Sequence, residues 1–135
     1  MRNLLFTSIA AFMMLFAFSS TELRAQDAGK GVKLTANVQV LQFHSDHRCK
    51  TCLKIESLTG EALKAFPDVP LRLVNVDEKA NEKVAEQFEA RGTALVLYDG
   101  KRGKKMDLTD FAFMNASNDE KFVSTLKKHL ESFSK

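Results

Sequence analysis

The sequence predicts an α/β domain in the order β-α-β-α-β-β-α, with a central mixed sheet of four strands flanked by helices. Three observations carry this expectation. Short runs rich in Val, Leu and Phe alternate with segments whose apolar residues recur every three or four positions. Such alternation implies parallel strands joined by right-handed crossovers. Asp99-Gly100, followed by Lys101, Arg102 and Gly103, is a hairpin signal that adds an antiparallel edge, because these residues accept the positive φ of tight turns.

The average composition conceals a split. The chain has 135 residues, 44% of them hydrophobic, a net charge of +3 and two Cys. Residues 1–25 hold 16 of the hydrophobic residues, including four of the eleven Phe. The other 110 residues are 40% hydrophobic, with 18 basic and 16 acidic side chains. That balance excludes the clustered basic face of a nucleic-acid binder. The length suits one domain with a real core. There are no internal repeats and no low-complexity tracts.

Arg2, the apolar run 4–18 and the small polar residues Ser19, Ser20 and Thr21 have the order of a secretory signal. The run is shorter than the roughly 20 apolar residues a spanning helix wants. Cleavage is expected after Ala25, before Gln26, with Ser19 as the alternative site. No Cys lies in or just after the run, which argues against a lipoprotein. The expected organisation is a signal peptide at 1–25, a polar lead-in at 26–37 and one domain at 38–135.

Within the domain, residues 38–44 place Val38, Val40, Leu41 and Phe43 in a short strand. After the polar turn 45–48, Cys52, Ile55, Thr59, Ala62 or Leu63, and Phe66 recur at helical steps, and Pro67 with Pro70 ends that helix. Residues 71–76 form the second strand. Residues 81–90 put Val84, Ala85 and Phe88 on one helical face, with Gly92 closing the helix. Residues 94–98 are the third strand and 105–108 the fourth. The stretch 109–116 carries no assignment. Ser117 to Glu120 has the spacing of a capping box, and Phe122, Leu126, Leu130 and Phe133 then form a helical stripe.

Both cysteines fall in His47-Arg48-Cys49-Lys50-Thr51-Cys52, where the first strand hands over to the first helix. A thiol at a helix N-terminus meets unpaired N–H groups and the positive end of the helix dipole, which favour the thiolate. Arg48 and Lys50 push the same way. Cys49 is therefore the expected attacking thiol, and Cys52, one turn deeper, the resolving thiol. Two other readings stand beside thiol exchange. One is a static disulfide, although so short a loop removes little unfolded-chain entropy. The other is a metal-binding or metal-delivery module using Cys49, Cys52, His47 and His44, although a closed site usually draws on a second ligand pair and only His129 remains.

These residues make the chain resemble the thioredoxin-like superfamily over most of 38–133. Val74-Asn75-Val76-Asp77 is similar to the family's second strand ending in Asp, and residues 84–92 to its next helix and Arg-containing approach to the third strand. Phe43-His44, Arg48-Cys49-Lys50-Thr51-Cys52 and Ile55-Glu56 are more specifically similar to small bacterial thioredoxin-like proteins named as nitrophenyl-compound nitroreductase subunits. The resemblance implies a thioredoxin-like fold, a redox-active Cys49–Cys52 disulfide with no other cofactor, and a substrate-facing surface of Arg48, Lys50, Thr93 and Ala94. There are departures. Arg48 replaces the family's Trp and Lys50-Thr51 its Gly-Pro, which changes the residues that tune redox potential. Ala94 stands at the family's cis-proline; a cis bond there would cost about 3 kcal/mol, so a trans bond is expected. The family's buried acid falls at Phe43, which cannot titrate, and strand alternation opposes moving that role to His44. Glu56, one turn beyond Cys52, is the candidate base, and His47 a candidate tuning residue.

Two weaker signals remain. Lys101, Arg102, Lys104 and Lys105 form a basic cluster read first as a solvated turn, with partner docking as the alternative. Phe111, Phe113 and Met114 are read as core or cap packing, with a partner-binding patch as the alternative. The resulting expectation is an exported, monomeric thiol–disulfide oxidoreductase or electron-transfer protein of the bacterial periplasm. It would exchange electrons with a protein or small-molecule thiol partner in the envelope, a membrane redox partner included. A non-catalytic adaptor of the same fold is the third alternative.

Overall fold

A computed structural model describes residues 31, 32, 34 and 37–135. The expected signal segment 1–25 and most of the lead-in lie outside the described residues. The organising element is β1 (Val38–His44), in which Gln39, Val40, Leu41, Gln42 and Phe43 are all fully buried. A strand covered on both faces reads as a nearly continuous apolar run, and this one does so apart from its two glutamines. It pairs in parallel with β2 (Leu71–Asn75), Val40 opposite Leu71 and His44 opposite Asn75. Its other edge pairs antiparallel with β3 (Ala94–Asp99), Phe43 opposite Ala94 and Val38 opposite Asp99. Strand β4 (Lys104–Asp107) continues antiparallel from β3, so the sheet order is β2-β1-β3-β4.

Helices cover both faces. On one, α1 (Lys50–Leu63), α3 (Thr109–Asn115) and α4 (Asp119–Phe133) bury Ile55, Leu58, Ala62, Ala112, Phe122, Leu126, Leu130 and Phe133 against Val40, Leu95 and Leu97. On the other, Leu41, Phe43, Val74 and Val96 meet Phe88, just beyond α2 (Glu82–Gln87). Leu95 and Leu97 thus face one core and Val96 the other, as period-two alternation requires. The expected stripe Phe122, Leu126, Leu130 and Phe133 is completely buried.

The structure revises several local expectations. The unassigned stretch is α3, because Leu108, Ala112 and Ala116 repeat at four-residue steps and all three are buried. Phe111 packs on Phe122 and His129, with ring centroids at 5.1 and 5.3 Å. Phe113 and Met114 project outward, Met114 80% exposed. The fourth strand begins at Lys104 and releases Leu108 to the α3 N-terminus, where Leu108 N–H still bonds the Leu95 carbonyl at 2.7 Å. The cap of α4 is Asn118 rather than Ser117: its side chain accepts from Lys121 N–H at 3.0 Å, and Asp119 and Glu120 face the positive helix end. Helix α1 ends at Leu63, and short-range bonds carry the turn on to Phe66 before Pro67.

Gly92 does not close the second helix. A 3-10 turn at Lys79–Asn81 leads into α2, and Glu89 takes the left-handed conformation (φ 54°) just after it. The Ala90 N–H then reaches the Ala85 carbonyl and the Glu89 N–H the Glu86 carbonyl, the doubled closure that an αL residue permits. In the β3–β4 turn the positive φ falls at Gly103 (63°). Asp99 acts through its carboxylate instead, accepting from Lys101 N–H at 2.9 Å, Arg102 N–H at 3.1 Å and the Arg102 guanidinium.

The basic cluster is partly absorbed by this architecture. Arg102 also donates to the Phe133 carbonyl, Lys104 lies 4.7 Å from the Phe133 ring centre, and Lys105 lies 5.9 Å from that of Phe88. Successive lysines reach opposite faces of an edge strand, and their charge discourages another strand from pairing there. Part of the lead-in belongs to the fold. Val32 and Leu34 pack on the second core, and Val32 N–H donates to buried Asn81 at 2.7 Å. Gly31 approaches the Ala80 carbonyl so closely that a Cβ would lie 2.1 Å from its oxygen. Among the described residues no helix is long and apolar enough to cross a membrane.

Two outcomes follow for stability. Phe122→Ala should lower the unfolding free energy by about 3–5 kcal/mol in denaturant titration, the scale for emptying a large core site. The three donors on Asp99 hold its carboxyl below the usual carboxylate range, the Arg102 side chain first among them. A lowered folded-state pKa adds stability that is complete above the unfolded value, about pH 4, and is lost as pH falls through the folded value. Asp99→Asn should therefore be less stable than wild type at neutral pH, and the difference should shrink on acidification below about pH 4.

Candidate active site

Strand β1 ends at His44, and the corner that follows is built by its own polar groups. Ser45 Oγ–H donates to the His47 carbonyl at 3.0 Å, and Asp46 N–H donates to Asp77 at 2.8 Å. Asn75 Nδ2–H donates to Asp46 at 2.6 Å. These bonds hold the corner against the end of β2 and deliver the chain to α1 at Cys49.

Cys49 is the N-cap of α1, with extended backbone (φ −76°, ψ 159°), and its Sγ accepts from Cys52 N–H at 3.1 Å. A sulfur replaces the oxygen that usually fills this position, and the first turn of the helix carries no acid to oppose its negative charge. Cys49 is exposed and Cys52 is buried, one turn deeper. The two form a disulfide, with Cα atoms 5.1 Å apart. The sulfurs thus occupy an outer and an inner position.

Thr93 and Ala94 arrive from the start of β3. Thr93 Oγ1 lies 3.1 Å from Cys52 Sγ; a disulfide sulfur has no proton, so the hydroxyl donates. There is no cis peptide among the described residues, so the bond entering Ala94 is trans, as its cost predicts. Ala94 itself pairs with Phe43, whose ring centre lies 5.6 Å from that of Phe88.

Glu56 is partly exposed, and its carboxylate is paired with the Arg48 guanidinium. Lys50 and His47 are exposed beside Cys49. His44 Nδ1 lies 2.9 Å from the Ser45 carbonyl, so that nitrogen carries the proton. The alternative metal set His44, His47, Cys49 and Cys52 is not assembled: the sulfurs are bonded to each other, His44 turns to its own backbone, and no three His, Cys, Asp or Glu among the described residues are gathered to hold an ion.

Gln42 is a contributor the sequence reading passed over. It is fully buried on the Val40 face of β1, and its Nε2–H donates to the Cys52 carbonyl at 3.0 Å. It ties the central strand to the helix turn that carries the inner sulfur. The available signal was a polar residue within the apolar run Val40-Leu41-Gln42-Phe43. The Arg48–Glu56 pair had no local signal, since eight residues separate its partners across the corner.

No family model and no curated protein sequence matches the chain. Solved structures do. Thioredoxin O2 from Arabidopsis thaliana in its oxidized state is similar with a TM-score of 0.52 and 20% identity, over 74% of this chain and 77% of that one. Fasciola hepatica thioredoxin is 21% identical over 70% of this chain and 82% of that one, with a TM-score of 0.47. The chain has the thioredoxin-like fold, a four-stranded mixed sheet flanked by helices. None of these comparisons supports the narrower likeness to the small bacterial group.

A hydroxyl that donates to a sulfur steadies negative charge on it. In a Cys49→Ser background, Thr93→Val should slow alkylation of Cys52 at neutral pH, and Thr93→Ser should restore it.

Proposed function

We propose that this chain is a thiol–disulfide oxidoreductase in which Cys49 attacks and Cys52 resolves. The carrying observation is an exposed N-cap sulfur bonded to a buried sulfur one turn deeper, at the strand-to-helix corner of a thioredoxin-like fold. Helix-terminal N–H groups lower the cost of charge on Cys49, so the thiolate needed for attack is accessible. In the oxidising direction for the protein, the Cys49 thiolate attacks one sulfur of a substrate disulfide, forms a mixed disulfide and releases one substrate thiolate. The Cys52 thiolate then attacks Cys49, closes the internal disulfide and releases the second substrate thiolate. Two electrons pass to the substrate, and the two protons shed by the cysteines go to the released thiols. The reverse sequence reduces the protein, and no cofactor beyond the dithiol takes part.

Around this chemistry, Arg48, Lys50, Thr93 and Ala94 form the substrate-facing rim and His47 a tuning group. Arg2 and the apolar run 4–18 support export, which would put the exchange partner, a thiol protein or small thiol, in the cell envelope of a bacterium. The chain acts as a monomer in this reading, with a membrane redox partner among the candidates. The motif shared with the proteins named as nitrophenyl-compound nitroreductase subunits supports the dithiol assignment and supplies no substrate.

The test is insulin or small-disulfide exchange followed by mass spectrometry. Cys49→Ser should abolish exchange, while Cys52→Ser should accumulate mixed disulfides through Cys49. Unchanged turnover in both variants would defeat the proposal. N-terminal sequencing of the protein recovered from the envelope fraction should begin at Gln26.

A further inference from the structure

Arg48 and Glu56 lie eight residues apart, and the fold rather than their spacing joins them. The Arg48 Nη2 donates to Glu56 Oε2, with the two side chains 26% and 29% exposed. The Arg48 Nε is buried and has no partner, so the side chain lies along the protein surface instead of sweeping through solvent. Its anchored guanidinium comes from the residue directly before the exposed Cys49. A guanidinium offers five N–H donors in a planar fork, suited to gripping a carboxylate. One of them is committed to Glu56.

The surroundings supply the sign of the ligand. Residues 47–55 contain Arg48, Lys50 and Lys54 and no acid, while the corner's carboxylates, Asp46 and Asp77, accept from Asn75 and from the Asp46 N–H. Lys54 is occupied by Asp119 at 2.6 Å, and Glu56 offsets one charge, which leaves exposed Lys50 and the positive end of α1 beside Cys49. A carboxylate-bearing disulfide approaching the Cys49 thiolate would meet like-charge repulsion, and a cation carried by the residue before Cys49 would offset it.

We infer that Arg48, positioned by Glu56, is a specificity-determining residue that binds a carboxylate near the sulfur of an anionic disulfide or thiol substrate. The inference deepens the thiol-exchange reading and rests on it. It also gives Glu56 a task apart from proton transfer, that of a positioning residue acting through Arg48. During attack the carboxylate stays bound to Arg48 while the sulfur–sulfur bond opens, and the departing thiolate takes its proton from solvent.

The experiment uses the reduced full-length protein and three small disulfides: dithiodipropionate, which is anionic, bis(2-hydroxyethyl) disulfide, which is neutral, and cystamine, which is cationic. Dividing each wild-type rate constant by that of the variant for the same probe cancels leaving-group differences. Arg48→Gln should slow the anionic probe about ten-fold or more beyond whatever it does to the neutral probe, the scale of one charge-assisted hydrogen bond. Relative to the neutral probe, cystamine should be unaffected or favoured. Arg48→Lys, which keeps the charge and loses the fork, should lie between, and added salt should reduce the wild-type preference for the anion. Equal slowing of all three probes, or no change with the anionic one, would overturn the inference while leaving thiol exchange intact. A wild-type protein inert to all three probes would overturn the exchange reading as well.

Discussion

The structure depends on the burial of β1 on both faces. Its five interior residues are inaccessible to solvent, so its backbone can be satisfied only by neighbouring strands and its side chains only by two separate cores. Pairing with β2 on one edge and β3 on the other meets the first demand; the two helical layers meet the second. A central strand of this kind must stop where its cover stops. It stops at His44, and the next turn delivers Cys49 to the end of α1. The position of the sulfurs follows from the position of this strand.

Polar groups then hold in place what the apolar contacts leave loose. Gln42 joins β1 to the Cys52 turn, Asn81 joins the lead-in to the end of β2, and Asp99 closes the turn between β3 and β4. Each works through groups far apart in sequence or through the backbone, and each is buried. A buried donor or acceptor without its partner costs about 1–3 kcal/mol, so such residues specify geometry more sharply than equally sized apolar ones. At the dithiol the same logic is at work on sulfur: Cys49 takes the Cys52 N–H, and Cys52 takes the Thr93 hydroxyl.

Much of this was legible along the chain because its causes are local. The strands at 38–44, 71–75 and 94–99 and the stripe Phe122, Leu126, Leu130, Phe133 follow from periodicity. Where partners compete for a role, sequence patterns failed. Ser117 and Asn118 are both good caps, and the helix axis chose Asn118. Gly92 has the better intrinsic tolerance of positive φ, yet the burial of Phe88 and Ala90 set the helix end one turn earlier, at Glu89. Residues 109–116 mix Phe111, Phe113 and Met114 around a small-residue face, and Leu108, Ala112 and Ala116 become a helical stripe only when α1 and α4 are present to receive them.

By itself the sequence determined the order of the four strands and three of the four α-helices and the placing of two cysteines, three residues apart, at a strand-to-helix corner. These depend on neighbours within one or two turns. The tertiary structure decided that Gln42 holds the Cys52 carbonyl, that Thr93 meets the inner sulfur, and that Arg48 is steadied by Glu56. Those relations arise when residues from β1, α1 and the start of β3 are brought to one end of the sheet, and no local periodicity encodes a contact between separate elements.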